Sequence, residues 1–334
     1  MTVAADLSGE DRLIARHFAP LARDPRALGL IDDTAVMTPP AGMDLVLKTD
    51  GIVGGVHFLD DDPPDSIARK ALRVNLSDLA AKGAAPSGFL ITLALPAGTT
   101  DDWLAGFARG LGEDAERYGC PLLGGDTVRT PGPVTVSIAV IGLVPQGRAV
   151  TRMGAKPGER LFVSGTIGDA ALGLRLRREA ALAQGWGLDA AMRDHLLARY
   201  ALPQPRTALA ACVRDHATGA MDVSDGLAGD LAKLCRASGV SAEVAVADVP
   251  LSLAARAALA ADASLIEPIL TGGDDYEILC TVPDDRVAGF RAAAAAAGAA
   301  VQEIGRIVAG AAPPRLIGRH GETLSFARGA YSHF

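Results

Sequence analysis

Six short segments set the terms on which this chain can fold: Ile31-Asp32-Asp33, Lys48-Thr49-Asp50-Gly51, Asn75-Leu76-Ser77-Asp78, Gly124-Gly125-Asp126, Asp222-Val223-Ser224-Asp225-Gly226 and Gly272-Gly273-Asp274-Asp275. Each sets one or two acids beside small or polar residues next to an apolar run. Carboxylates at the ends of buried strands repel one another if the fold gathers them, unless divalent cations neutralise the charge and leave ligand positions open for phosphate. The pattern points to a phosphoryl-transfer site holding several Mg²⁺ ions.

Composition narrows the classes around that site. With 334 residues, 49% of them hydrophobic, the chain has material for more than one core, and its length favours two domains. A net charge of -7 argues against a partner recognised through its phosphate backbone, so no nucleic acid is expected. No run of about 18 apolar residues occurs. Met1 to Glu10 carries acids and polar residues where a signal peptide needs a basic and then a hydrophobic segment. The expectation is a cytoplasmic protein without a membrane partner. Cys120, Cys212, Cys235 and Cys280 lie far apart with no C-x-x-C pair, which reads as free, mostly buried thiols rather than a zinc site or disulfide framework.

Strands and helices alternate along the chain. The first half predicts strands at 44–49, 89–95 and 134–144, and helices at 65–82 and 100–118. Turn formers and three basic residues, Arg148, Arg152 and Lys156, then mark a boundary between two strong strands. Beyond it come strands at 160–163, 220–223, 241–246 and 276–282. Helices are predicted at 169–178, 188–200, 207–216, 227–238 and, from alanine propensity, 286–300. The class is α/β or α+β.

Each motif also has a plainer reading. Asp32-Asp33 and Thr49-Asp50-Gly51 fit turns that accept backbone N–H groups. Asn75 and Asp78 share a helix face and fit a solvated polar stripe. Leu122-Leu123 is predicted to end a strand in a flexible Gly124-Gly125 turn whose N–H groups could cradle phosphate while Asp126 holds a cation. Alternation puts Asp222 and Ser224 on one side of a strand end, and Ser224 also suits a helix cap. His57, in Gly54-Gly55-Val56-His57-Phe58, is the one histidine in a glycine-rich setting. There is no P-loop, no dinucleotide fingerprint and no protein-kinase signature, so an ATP site here is of another kind.

Taken in order, these motifs, with Lys70 to Leu79, Thr151-Arg152 to Gly158, Tyr276-Glu277 and Tyr331 to Phe334, resemble the thiamine-monophosphate kinase family of the AIR-synthetase-like ATP-binding superfamily. The likeness runs in unbroken order from about Leu13 to Phe334. It implies a two-domain α/β (α+β) AIR-synthetase-like fold. Residues 1–148 would form a strand-rich ATP- and Mg²⁺-binding domain that pairs across a homodimer, and residues 149–334 an α/β domain that closes the cleft. It implies direct transfer of the γ-phosphoryl of ATP to thiamine monophosphate. Carried over by position, Asp33, Thr49, Asp50, Asp78, Asp126, Asp222 and Asp225 would ligate Mg²⁺. Gly125, Asp126, Arg152 and Ser224 would contact ATP, while His57, Asp274 and Tyr331 would contact thiamine phosphate. Asp33, Asp50, Asp78, Asp222 and Asp225 would carry the catalysis.

The chain departs from the family's pattern at three positions: Ile31 stands where Gly is usual, Lys48 where a small hydroxyl residue is common, and Asp274 where Glu is usual. The rival readings are a superfamily relative with another acceptor and a nucleotide-binding protein without turnover. Relatives acting on acyl, thiocarboxamide or selenide groups would carry signatures such as a reactive or C-terminal cysteine, and this chain ends Tyr331-Ser332-His333-Phe334.

Overall fold

The computed structural model describes residues 9–326. Tyr331, expected at the substrate, lies outside the described residues. Two compact units emerge: residues up to 76 together with 85–147, and residues 77–84 together with those from 148 on.

The first unit is built on a four-stranded mixed sheet with two long helices. In chain order its main elements are β1 (Met43–Val53), α1 (Pro64–Ala81, whose residues from 77 on belong to the second unit), β2 (Ala85–Pro96), α2 (Asp101–Arg117), β3 (Leu122–Thr130) and β4 (Thr135–Pro145). The strands lie in the order β1-β4-β2-β3; β4 is antiparallel to both neighbours and β2 and β3 are parallel. Alternation explains which face is covered. In β4 every second residue from Val136 to Val144 is buried, and Ile138 pairs with Ile91 of β2, also buried. Burying each such side chain contributes roughly 1.5–3 kcal/mol. The helices supply Ile67, Leu72, Leu76, Leu104, Phe107 and Leu111 to the core. The opposite face is apolar yet open: Leu45, Leu47, Leu90 and Val128 are exposed, Leu47 to 70%.

The second unit has a six-stranded sheet covered on both faces. Its elements are β5 (Arg160–Ser164), α3 (Asp169–Arg178), α4 (Ala190–Ala201), α5 (Ala210–His216), β6 (Gly219–Val223), α6 (Leu227–Ser238), β7 (Ser241–Ala245), α7 (Leu253–Ala261), α8 (Ile266–Thr271), β8 (Glu277–Val282), α9 (Val287–Ala296), β9 (Val301–Val308) and β10 (Arg315–Ile317). Strand order is β10-β7-β9-β5-β8-β6. Leu161, Val163, Met221, Val223 and Leu279 face a core built with α3, α4, α6, α7 and α8. Phe162, Ala220, Ile278 and Cys280 face the other core, with α5, α9 and Ala80 and Ala81 from the end of α1. The α/β class holds.

All four cysteines are buried. Burial pushes the Cys120 thiol up to about 12 and those of Cys212 and Cys235 up to about 11, and raises Cys280 as well.

The structure corrects two local expectations and overturns two of the plainer readings. Gly124 and Gly125 do not form a turn: they lie inside β3, paired with Leu90 and Ile91 of β2. The reason is close approach, since a Cβ on Gly125 would come within 2.2 Å of the Ile91 carbonyl oxygen. The plainer reading of Asn75 and Asp78 as a solvated stripe fails at Asn75, which is fully buried, while Asp78 is half-buried. Ser224 does not cap α6; the cap position is Gly226, with no side-chain cap bond, and the Asp230 carboxylate accepts the backbone N–H groups of Ser224 and Asp225 in the turn before it. The alanine-rich helix stops at Ala296, and the chain turns at Gly298 (φ 68°) into β9, which had not been anticipated.

Candidate active site

In the first unit the fold gathers part of the expected set. Asp32, Asp33, Gly124, Gly125 and Asp126 line one pocket of about 670 Å³, walled by Phe18, Leu30 and Leu122 among others. The loop that brings Asp33 there is unusual: Leu28, Gly29 and Leu30 are all left-handed, at φ 50°, 66° and 56°, and Ile31 is 93% exposed. The Asp33 and Asp126 carboxylates make no bond with any described residue.

Thr49 and Asp50 are not brought to one side. They are neighbours in β1, so their side chains leave opposite faces. Thr49 points to the open face, where Thr49 Oγ1 lies 3.4 Å from Ser137 Oγ. Asp50 points to the helix side. Its backbone N–H donates to Asn75 Oδ1 at 2.9 Å, and its carboxylate lies 3.1 Å from Lys48 Nζ. Lys48 thus supplies a cation at Asp50, a consequence of the departure at that position. His57 sits in the loop after β1. Its Nδ1 accepts the Val53 N–H at 3.0 Å, which leaves the proton of the neutral ring on Nε2, and buried Lys70 donates to the His57 carbonyl at 2.8 Å.

In the second unit two of the acid-rich segments lie against each other. Asp222 is buried at the end of β6, and the chain turns through Ser224, Asp225 and Gly226 into α6. Gly226, at φ 106°, has no room for a Cβ, which would meet the Thr271 backbone at 2.5 Å. The 272–276 turn docks on this one: Asp274 N–H donates to Ser224 O and Tyr276 N–H to Val223 O, both at 2.8 Å. Asp222, Ser224, Asp225 and Asp274 therefore share one edge of the unit. Thr151 O accepts the Ala220 N–H at 3.1 Å, which lays the Arg152 segment alongside β6, and the Arg152 guanidinium makes no bond with a described residue. Asp78 lies on α1 one turn before Lys82, whose Nζ donates to Ala220 O at 2.6 Å, two residues before Asp222.

Sequence reasoning missed Asp230 and Lys233. Asp230 is fully buried, and burial raises its pKa despite the adjacent Lys233. The Lys233 ammonium bonds both Asp225 and Asp230. Burial works against that ammonium, but the two carboxylates outweigh it and its pKa lies above the ordinary 10.5. The spacing of Asp230 and Lys233 was visible; their turn toward Asp225 was not. Asp275 is also buried, and burial lifts its carboxyl well above the usual range against the Gly168 N–H that it accepts.

Among the described residues, no three His, Cys, Asp or Glu side chains are gathered as a ready metal cluster. The donors at the pocket still suit Mg²⁺. They are carboxylate oxygens without imidazole or thiolate in the pocket lining, and among the described residues no cation pairs with Asp33 or Asp126.

Known proteins agree with this architecture. Residues 31–144 match the AIR synthase related protein N-terminal domain, and residues 156–313 match the AIR synthase related protein C-terminal domain. A thiamine-monophosphate kinase of Caulobacter vibrioides is 48% identical over 301 residues, 89% of this chain and 83% of that protein. The crystal structure of the thiamine-monophosphate kinase of Stenotrophomonas maltophilia superposes with a TM-score of 0.81 at 37% identity, covering 94% of this chain and 96% of the other. AaThiL complexed with AMPPCP and TMP superposes with a TM-score of 0.76 at 31% identity, covering 91% of each chain. On these matches, which span both units, the chain belongs to the thiamine-monophosphate kinase family of AIR synthase related proteins.

Proposed function

We propose that this chain transfers the γ-phosphoryl group of ATP directly to thiamine monophosphate, giving thiamine diphosphate and ADP. The observation that carries the reading is the likeness, over 91% of both chains, to a relative solved with AMPPCP and TMP.

The acceptor oxygen is already anionic, so no general base is required; the obstacle is repulsion between two phosphate-bearing molecules. Bound Mg²⁺ would screen that repulsion and hold the phosphates in place. In this reading Asp33, Thr49, Asp50, Asp78, Asp126, Asp222 and Asp225 supply its ligands. Gly125, Asp126, Arg152 and Ser224 hold ATP. His57, Asp274 and Tyr331 hold thiamine monophosphate, with His57 offering its Nε2–H as a donor to phosphate. Residues 1–148 then form the nucleotide and dimer domain and 149–334 the second domain. The open apolar face of the first sheet supports a homodimer, since a contiguous exposed apolar surface marks an interface. Among the described residues no helix is long and apolar enough to cross a membrane. We place the enzyme in the cytoplasm, where ATP is available, without a nucleic acid or membrane partner.

The test is ADP release from ATP, Mg²⁺ and thiamine monophosphate, with the product identified by chromatography. Asp50→Ala and Asp222→Ala should each lower kcat on the order of 10²–10³-fold, as loss of one preorganised electrostatic group does. Wild-type protein that binds ATP with Mg²⁺ yet forms no thiamine diphosphate would move the assignment to another acceptor.

A further inference from the structure

The turn that carries Asp274 is held in a conformation it would not keep by itself. Asp274 and Tyr276 have φ values of 74° and 52°, in the left-handed region that costs a side-chain-bearing residue about 1–2 kcal/mol. Such residues persist where their surroundings over-determine them. Two of the restraints are the bonds to Ser224 O and Val223 O. The Gly168 N–H, donated to the Asp275 carboxylate at 2.8 Å, is another; further restraints come from two arginines that no motif marks. Arg199, on α4, donates through Nη2 to the Asp275 carbonyl at 3.0 Å and to Glu277 Oε1 at 2.9 Å. Arg206, beyond that helix, donates through Nε to Glu277 Oε2 at 2.6 Å and through Nη2 to Glu277 Oε1. Ser164 Oγ donates to Glu277 Oε2 at 2.6 Å and accepts the Ile278 N–H at 2.8 Å, which ties the carboxylate to the start of β8.

The Glu277 side chain is fully buried, that of Arg199 is 9% exposed and that of Arg206 29%. Sinking one carboxylate beneath two guanidiniums is a poor way to gain stability, because desolvation offsets much of the attraction. What the arrangement does provide is direction. Arg199 Nη2 bridges the Asp275 carbonyl and the Glu277 carboxylate, and the rigid fork of Arg206, Nε with Nη2, grips both oxygens of Glu277. The residue between the fixed points and the β6 edge is Asp274.

We propose that Arg199 and Arg206 are positioning residues for the phosphate acceptor: through Glu277 and the Asp275 carbonyl they lock the 272–277 turn so that Asp274 is presented to the substrate. The inference rests on Asp274 as a thiamine monophosphate contact. It extends that role to two side chains that act on the turn through Glu277 and the Asp275 carbonyl.

The experiment uses the full chain with Arg206→Lys, which keeps the charge and loses the fork, and with Arg199→Lys and Glu277→Gln as companions should Arg206→Lys fold poorly. Two readouts are taken. Steady-state kinetics should show KM for thiamine monophosphate raised roughly tenfold or more, the worth of a charge-assisted hydrogen bond, while KM for ATP stays within about twofold. Hydrogen exchange should show the Asp274 and Tyr276 amides, both bonded to the β6 edge, exchanging faster than in the wild type. Equal rises in both KM values, or a lower kcat with both KM values unchanged, would overturn the proposal in favour of a merely structural role. Unchanged exchange would overturn the lock itself. If the wild type makes no thiamine diphosphate, the functional reading fails on that assay, and the exchange result still decides whether the arginines hold the turn.

Discussion

Asp274 concentrates several constraints in one residue. Its left-handed backbone favours Asp and Asn, whose short side chains bond locally, and Tyr276 Oη lies 3.4 Å from its Oδ1. The family's usual Glu would add reach and lose that local fit. Asp274→Glu should therefore lower KM for thiamine monophosphate roughly fivefold, the worth of one net hydrogen bond. It should also lower Tm by about 2–4 °C, because the left-handed position costs the longer side chain about 1 kcal/mol more in a unit of this size. Kinetics and a thermal scan on the same preparation check both. A fall in Tm with KM unmoved would remove Asp274 from the substrate contacts. Ile31 is the contrary case: it is almost wholly exposed, after two left-handed leucines, and nothing in the structure explains why it replaces Gly.

Elements whose residue types repeat with their own period were legible. Helices α1, α2, α3 and α6 and strands β4, β6 and β8 lie within a residue or two of their expected bounds, because the residues that set their faces are neighbours in the chain. So were the acids at the ends of β6 and before β8. The failures share a cause, which is a partner far away in sequence. Gly124-Gly125 carries the local signal of a turn, and only the nearness of Ile91 makes glycine a strand residue there. Ser224 leaves the head of α6 without a side-chain cap, and Asp230 folds back to hold the preceding turn. Arg199 and Arg206 find Glu277 across more than seventy residues, with no pattern to announce it. The strand reading of Gly125 has a direct test. Gly125→Ala forces β3 away from β2, so stability should fall by about 1–3 kcal/mol, as overpacking does. KM for ATP should rise with it. Denaturant titration and kinetics give the two numbers; an alanine accepted without loss in either would contradict the close β2–β3 approach.

At the scale of the whole molecule the proposed homodimer is testable on the open face of the first sheet. Leu47 stands near the centre of the outward side of β1, an edge strand whose outer backbone groups have no neighbour in the sheet. Leu47→Asp places two like charges at any symmetric contact through this face, and it should convert a dimer to monomers by light scattering at micromolar protein. A wild type that is monomeric in the same measurement would leave the face without its proposed partner. The buried thiols bear on the molecule in another way. Cys120 belongs to the first unit and Cys212, Cys235 and Cys280 to the second, and none of the four is within reach of a reagent while its unit stays closed. Each thiol is therefore a timer that starts when the shell around it opens. The rate at which Cys120 takes up a label, set against that of the other three, reports whether the two halves of the chain breathe together or one by one.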